Sequence, residues 1–444
     1  MNENANLKRT PVHVVYGGAD RFSAETPEKF GRIALASIET YARGFVEFAR
    51  LFELRGSNGL PHWPGAVAEI EAAAQSNPQT LRNDNFPAWF AWSVYRKTIE
   101  KLSKEPVEDF RIDFEDGYGY RTDEEEDGHA IATSTELASA LNEGKITAFS
   151  GFRIKSFGLE TRERGVRTLE RFLGNFLDRT IGRLPENFSV TLPKVTEREQ
   201  VREFCGRLAA IEEERGLPLG SIGVELMIET PGAVIGMDGR IAVRDLVEAS
   251  SGRCTSVHFG AYDYTGALGI SASYQDIRHP ACNFARHMMQ ASLTGSGVRL
   301  VDSVTTVIPV PLHKGKSLSE NQRAENKEAV HAGWLLHFQN VTASMAEGFY
   351  QSWDLHPNQL VARYAAVYSF FLNEFNSQAA RLRSYMEKAT KATLTGNTFD
   401  DAASVAGLIN FFQRGIACGA FSEEEVTEST SATMGELSNH FRAA

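Results

Sequence analysis

The sequence predicts an α/β protein, a closed (β/α)8 TIM barrel with insertions and a C-terminal helical extension. Three observations predict it. Eight short β-rich runs recur along the chain, the segments between them carry helical periodicity, and six of the runs carry charged residues at their ends. Strands that alternate with helices pair in parallel, and closure of eight such units buries both faces of every strand.

The runs come in this order. "VHVVYGG" starts at Val12, "DFRIDFEDG" at Asp109, "AFSGFRIKS" at Ala148 and "FSVTLPKV" at Phe188. "VELMIET" follows from Val224, "SVHFGAYD" from Ser256, "VRLVDSV" from Val298 and "SWDLHP" from Ser352. Between Glu160 and Gly182, apolar Val166, Leu169, Leu173, Phe176 and Leu177 share one helix face. Val201, Phe204, Cys205, Leu208 and Ile211 do the same between Val195 and Gly216. The acidic run at Asp123 opens a helix, where negative charge meets the positive end of the helix dipole.

Three segments exceed the minimal barrel. An insertion spans about 54–105, opening on the turn-rich "RGSNGLPHWPG" and continuing through a helix at "PAWFAWSVYRKTIEKLSKE". A polar, Lys-containing loop spans about 311–330, after the seventh strand. The tail, 361–444, reads as helices rich in Ala, Phe and Tyr, leaving 1–360 for the barrel.

Length and composition suit a cytoplasmic enzyme. The 444 residues fit a barrel of about 250 residues plus additions. A net charge of -11 argues against nucleic-acid binding, which wants a basic surface. Cys205, Cys254, Cys282 and Cys418 form no CxxC pair, so neither a structural zinc site nor a disulfide framework is expected. The polar N-terminus lacks an apolar leader, and no apolar run has the length of about 18 residues that a membrane span needs.

Barrel enzymes carry their catalytic groups at the C-terminal ends of the strands. Here those ends offer Glu115 and Asp116, Arg153 and Lys155, Lys194, Glu229, Asp263 and His356. A lone buried carboxylate costs several kcal/mol, roughly, so Glu229 is paired, bound to a metal, or at a mouth where water and substrate arrive. For Glu229 and Asp263 a salt bridge and a metal site both stand. Arg153 either pairs with a barrel-end acid or clamps a substrate carboxylate. Lys194 and His356 are substrate-binding candidates with a plain structural alternative. Together, two acids and an arginine make an open all-oxygen site of the kind Mg²⁺ takes, with Mn²⁺ as the substitute. A divalent ion there would polarise a carbonyl while Arg153 adds fixed positive charge beside an enolate oxygen.

Six pieces in order resemble the citrate lyase β-subunit-like proteins of the HpcH/HpaI aldolase superfamily, which includes the malyl-CoA lyases. They are "IDFEDGYG", "FRIKS", "LPKV", "LMIETPGAV", "HFGAYDYTGALGI" and "LHPNQL", within about 12–360. The resemblance implies a TIM barrel of the phosphoenolpyruvate/pyruvate type and a homo-oligomer, trimeric or hexameric. It places metal ligands on Glu229 and Asp263 and substrate contact on Arg153. It gives Glu115 and Asp116 the task of orienting that arginine and bound waters. In the tail, "TGNTFDDAAS" resembles the segment that carries an acid into a neighbouring subunit's site, here Asp400 with Asp401 beside it. An N-cap is the alternative for Asp400.

The departures are the long insertions, the extended stretch between Glu229 and Asp263, and the missing proline after the tail acid. They bear on the acyl-CoA part of the implied function. The expected activity is a Mg²⁺-dependent carbon–carbon lyase acting on a carboxylic acid or an acyl-CoA such as malyl-CoA or citramalyl-CoA. A CoA-independent 2-oxoacid aldolase and a non-catalytic metabolite-binding barrel are the alternatives. Lys314, Lys316, Arg278 and His279 are candidates for CoA phosphates, or plain surface charges.

Overall fold

The computed structural model describes residues 9–387, 393–395, 398–400, 402–432 and 435. Its centre is a closed barrel of eight parallel strands in sequential order. These are β1 (His13–Gly18), β2 (Asp109–Asp113), β3 (Phe149–Arg153), β4 (Phe188–Leu192), β5 (Gly223–Ile228), β6 (Cys254–Phe259), β7 (Arg299–Val304) and β8 (Gln351–Asp354). The ring closes where His13 pairs with Ser352 and Val15 with Asp354.

Five helices fill the interval between β1 and β2: α1 (Thr26–Tyr41), α2 (Phe45–Leu51), α3 (Pro64–Ser76), α4 (Pro78–Asp84) and α5 (Phe86–Lys104). One helix follows each of the next three strands: α6 (Asp123–Asn142), α7 (Arg162–Thr180) and α8 (Arg198–Glu214). The acidic start of α6 is a full capping box, Thr122 and Glu125 each bonding the other's backbone N–H. After β5 come α9 (Pro231–Val234) and α10 (Ala242–Ala249), and after β6 come α11 (Ala261–Ala267) and α12 (Pro280–Leu293). β7 leads to α13 (Glu320–Ala346), and β8 to α14 (Gln359–Glu387).

The polar stretch 311–330 is therefore a loop only to Ser319. Ser319 and Gln322 form a capping box that starts α13, so the remainder is the exposed first turns of a long helix. Beyond α14, a two-strand hairpin, β9 (Thr393–Thr395) with β10 (Thr398–Asp400), precedes α15 (Ala402–Ala417) and α16 (Glu423–Thr430). No described helix is long and apolar enough to cross a membrane.

Helices and strand backs share one large apolar core. Buried polar anchors tie strands to helices. Asp354 on β8 holds His13 of β1 at 2.7 Å, His337 of α13 at 2.7 Å and Arg363 of α14 at 2.9 Å. The lumen is different. It has a small apolar cluster of Val14, Tyr16, Met227, Val301, Val304 and Trp353. The rest is polar: Arg111 on β2 reaches across to Glu225 on β5 with two bonds of 2.7 Å, and strands that are not sheet neighbours meet only through the barrel interior.

Candidate active site

Arg153 ends β3 and is the centre of the mouth. Its Nε and Nη2 donate to the two oxygens of Asp113 at 2.6 and 2.5 Å, a planar fork on a carboxylate. Its Nη1 lies 3.2 Å from Glu115 and 3.4 Å from the Met227 sulfur. The guanidinium rests 4.8 Å above the Tyr16 ring. Burial works against its charge, but Asp113 and then Glu115 outweigh burial and hold its pKa well above the ordinary value.

Asp113 is the residue that the sequence reading missed. It ends β2 with no exposed surface and also accepts the backbone N–H of Glu115 at 2.9 Å and of Gly117 at 2.8 Å. A Cβ on Gly117 would sit 2.5 Å from its oxygen, so the turn needs glycine there. Its signal was available: in "DFRID" the alternation puts Asp109, Arg111 and Asp113 on one strand face, and a buried charged face has to be paired.

The expected acidic pair divides its work. Glu115 and Asp116 lie beyond β2, in the turn. Glu115 meets Arg153, as expected, but Asp116 goes to Lys194, whose Nζ is 3.0 Å away. Lys194 also meets Glu115, and Asp263 at 3.6 Å. Its backbone takes the left-handed conformation at φ 51°, uncommon for a residue with a side chain, and this aims its N–H at Glu229 Oε1, 2.5 Å away. Burial opposes the Lys194 charge, yet Glu115 and Glu229 raise its pKa.

Glu229 follows the last residue of β5 and is almost fully buried. Burial first, and the Asp263 charge with it, push its pKa up to about 8 against the pull of Lys194. Asp263 is not at a strand end. β6 stops at Phe259, Gly260 packs its bare Cα against Glu229, where a Cβ would meet Oε2 at 2.5 Å, and the chain turns into α11 with Asp263 in its first turn. The Asp263 side chain is 44% exposed, which leaves this side of the cluster open to solvent. Lys155, two residues beyond the end of β3, turns away to Glu126 at 2.7 Å.

Two expected residues are not brought into this cluster by any described contact. His356 sits in the turn after β8, where its Nδ1 accepts the Asn358 N–H at 3.1 Å, and burial lowers its pKa. Asp400 closes β10, pairing with Thr393, and so is not the residue that immediately precedes α15; its side chain and the whole of Asp401 lie outside the described residues.

Five carboxyl groups, Asp113, Glu115, Asp116, Glu229 and Asp263, thus face two cations, Arg153 and Lys194. The excess is negative and built of hard oxygen donors. Among the described residues, no three His, Cys, Asp or Glu side chains converge as a ready cage. Two carboxylates that leave the other positions to water and substrate oxygens are what Mg²⁺ accepts, so the donor set fits that ion, and Glu229 and Asp263 are the candidates to hold it. Raising the Glu229 pKa marks the same imbalance, since a bound cation would favour the ionised form.

Comparisons with known proteins bear on what this barrel is. A stretch of 109 residues is 31% identical to the L-malyl-CoA/beta-methylmalyl-CoA lyase of Haloarcula marismortui, covering 24% of this chain and 28% of that protein. The match therefore spans little more than a quarter of that relative's length. A crystal structure of a citrate lyase from Burkholderia xenovorans LB400 has the same fold, with a TM-score of 0.55 and 20% identity over 76% of this chain and 92% of that chain. The likeness to a malyl-CoA lyase, part of the resemblance read from six motifs, recurs in the first comparison, and the second shows the fold. The family model described as "Domain of unknown function (DUF6986)" matches residues 4–443, and the chain belongs to that family.

Proposed function

We propose that this protein is a Mg²⁺-dependent carbon–carbon lyase or aldolase that forms or cleaves the enolate of a carboxylic acid or acyl-CoA, malyl-CoA and citramalyl-CoA being the model substrates. The observation that carries this reading is the pairing of a fixed, charged Arg153 with an excess of carboxylates at one barrel mouth. The likeness of part of the chain to a malyl-CoA lyase supports the class of reaction.

Asp113 locks Arg153 in one orientation, so no reorganisation is needed when negative charge develops on the enolate oxygen. Nη1, the nitrogen outside the Asp113 fork, would be the one to meet substrate, beside Glu115. A divalent ion held by Glu229 and Asp263 would supply Lewis acidity at the carbonyl that becomes the enolate. Glu115 and Asp116 hold Lys194 over the same opening, where its ammonium can meet a second substrate carboxylate. The exposed Lys314, Lys316 and Arg278 on the loops beyond β6 and β7 are the cations available to CoA phosphates. Asp400 keeps the role the resemblance implies, an acid brought to a neighbouring subunit's mouth in a homo-oligomer. Mixing inactive Asp400→Asn and Arg153→Lys subunits should restore some activity if that is so.

Calorimetric titration of Mg²⁺ and Mn²⁺ into the wild type, Glu229→Gln and Asp263→Asn tests the metal assignment. Both variants should lose affinity. A thermal-shift screen with Mg²⁺ plus pyruvate, oxaloacetate, acetyl-CoA and propionyl-CoA tests the substrate class, because a ligand of the native state raises the melting temperature. Wild-type metal affinity in both variants, with no stabilisation by any of the four, overturns the reading.

A further inference from the structure

Tyr16 sits directly beneath Arg153, and its hydroxyl does not point to solvent. It meets His258 Nδ1 across the lumen at 2.9 Å. His258 Nε2 lies 3.0 Å from Ser256 Oγ, which donates its one proton to Glu225 Oε1 at 2.8 Å. Ser256 can then only accept from His258, so Nε2 carries the imidazole proton and Nδ1 presents a lone pair to the Tyr16 O–H. Glu225 Oε1 is also 3.5 Å from His258 Nε2. Arg111 and Thr191 complete the donors to Glu225, at 2.7 and 2.9 Å. Tyrosine, imidazole and carboxylate form one directed chain, from the mouth to the barrel axis. None of its members has a task in the scheme above.

We propose that Tyr16, His258 and Glu225 are a proton relay for the enolate chemistry, with the Tyr16 hydroxyl as the group that exchanges a proton with substrate. This rests on the enolate-forming reading given above. Tyr16 is the member of the chain nearest the mouth: its ring lies against Arg153, and the residue retains 6% exposure, whereas His258 and Glu225 retain none.

In cleavage, the substrate hydroxyl passes its proton to Tyr16 Oη while the Tyr16 proton passes to His258 Nδ1. The oxygen's electron pair becomes the new carbonyl bond, and the carbon–carbon bond breaks. The pair from that bond forms the enolate, whose negative oxygen lies beside Arg153. The proton then returns, from His258 to Tyr16 and from Tyr16 to the enolate carbon, so no outside acid or base is consumed. The imidazolium formed in between faces Glu225, which Arg111 holds ionised: burial opposes that charge, but Arg111 outweighs burial and keeps the Glu225 pKa well below the ordinary value. Burial, with Glu225 adding to it, raises the Tyr16 pKa well above the ordinary value, so a free phenolate is disfavoured and a transfer concerted with His258 is the open route.

The test uses Tyr16→Phe and His258→Gln in the full chain with Mg²⁺. Tyr16→Phe keeps the ring under Arg153 and removes only the hydroxyl. Two probe reactions are followed: cleavage of malyl-CoA and citramalyl-CoA, and deuterium entry into pyruvate and acetyl-CoA in D₂O. Oxalate binding and melting temperature are measured beside them. Expected is a loss of about 10²–10⁴ in kcat for both variants, the range of positioned acid–base groups, with KM and oxalate affinity unchanged. Turnover by Tyr16→Phe at the wild-type rate overturns the relay. So does a loss of oxalate affinity matching the loss of rate, which would make Tyr16 a support for Arg153 only. If the wild type neither cleaves nor exchanges any of the four probes, the enolate reading itself falls, and the relay with it.

Discussion

Two charged clusters lie one above the other on the barrel axis, and they are built to opposite rules. The lower one, inside the lumen, is closed. Arg111 is shared between Glu225 and Asp109, Arg299 lies 3.7 Å from Glu225, and Gln351 donates to Asp109 at 3.1 Å. Two cations match two carboxylates, Ser256 and Thr191 donate to the remaining Glu225 acceptor sites, and His258 lies beside them at 3.5 Å. The upper one, at the mouth, is open. Its carboxylates outnumber its cations, and one of them, Asp263, reaches solvent. A balanced cluster specifies how strands pack; an unbalanced one is complete only with a ligand. The difference marks the mouth as the candidate site without reference to any relative.

Arg111→Met sharpens this comparison most. It strands Glu225 and Asp109 in the lumen, and removing one partner of a buried ion pair costs about 3–5 kcal/mol. Lys194→Met, its counterpart at the mouth, should cost about 1 kcal/mol or less, since a partly exposed pair contributes little. Chemical denaturation of both variants measures the contrast, and equal losses would erase the distinction between the clusters. Arg153→Lys is next. Lysine cannot reproduce the two-donor fork on Asp113, so its charge is free to wander. Removal of one preorganised donor typically costs about 10²–10³ in kcat. Steady-state kinetics with citramalyl-CoA should show that loss in kcat more than in KM, and wild-type kinetics would remove Arg153 from the chemistry.

The sequence made the barrel legible because each strand is a compact apolar run and each helix keeps its period. It made the open cluster partly legible for the same reason: Arg153, Lys194 and Glu229 stand where an apolar run stops. Asp263 was read as a strand end because "SVHFGAYD" stays apolar past its last strand residue; Gly260, pressed against Glu229, is what turns the chain. Asp113, Arg111, Glu225 and Tyr16 were passed over because they lie inside the runs. From one sequence, a charged residue within a strand shows that it needs a partner, but the partner comes from a strand on the far side of the barrel. Arg111 and Glu225 are 114 positions apart.

The open cluster should also betray itself by pH. Burial lifts the Glu229 pKa from 4.5 to about 8. Its native state therefore holds a proton that the unfolded chain has released, and the stability this gives is complete below the unfolded value and lost as pH rises through the folded one. In metal-free protein, stability should fall between about pH 4.5 and 8, by about 2 kcal/mol, less than the full shift because its charged neighbours titrate with it. Glu229→Gln, which cannot ionise, should flatten the curve across that window. Denaturation midpoints measured in chelator at several pH values check this, and an unchanged slope in the variant would place the titration elsewhere.

The smallest effect decides where the open cluster ends. His356 follows the eighth strand, at the same rim as Lys194 and Glu229, and its residue type suits a substrate contact. Its described partners are local: Nδ1 accepts the Asn358 N–H and its own N–H goes to Gln359 at 3.3 Å, so the ring closes a turn that starts α14. A neutral ring in that role needs no charge, and burial lowers its pKa accordingly. His356→Ala should cost about 1 kcal/mol of stability, the worth of one hydrogen bond, and leave KM where it was. His356→Asn, whose side-chain oxygen can accept the same N–H, should recover most of that loss. A raised KM in both variants, with stability intact in the asparagine form, would instead extend the open cluster around the rim to the eighth strand and give its substrate a further polar contact.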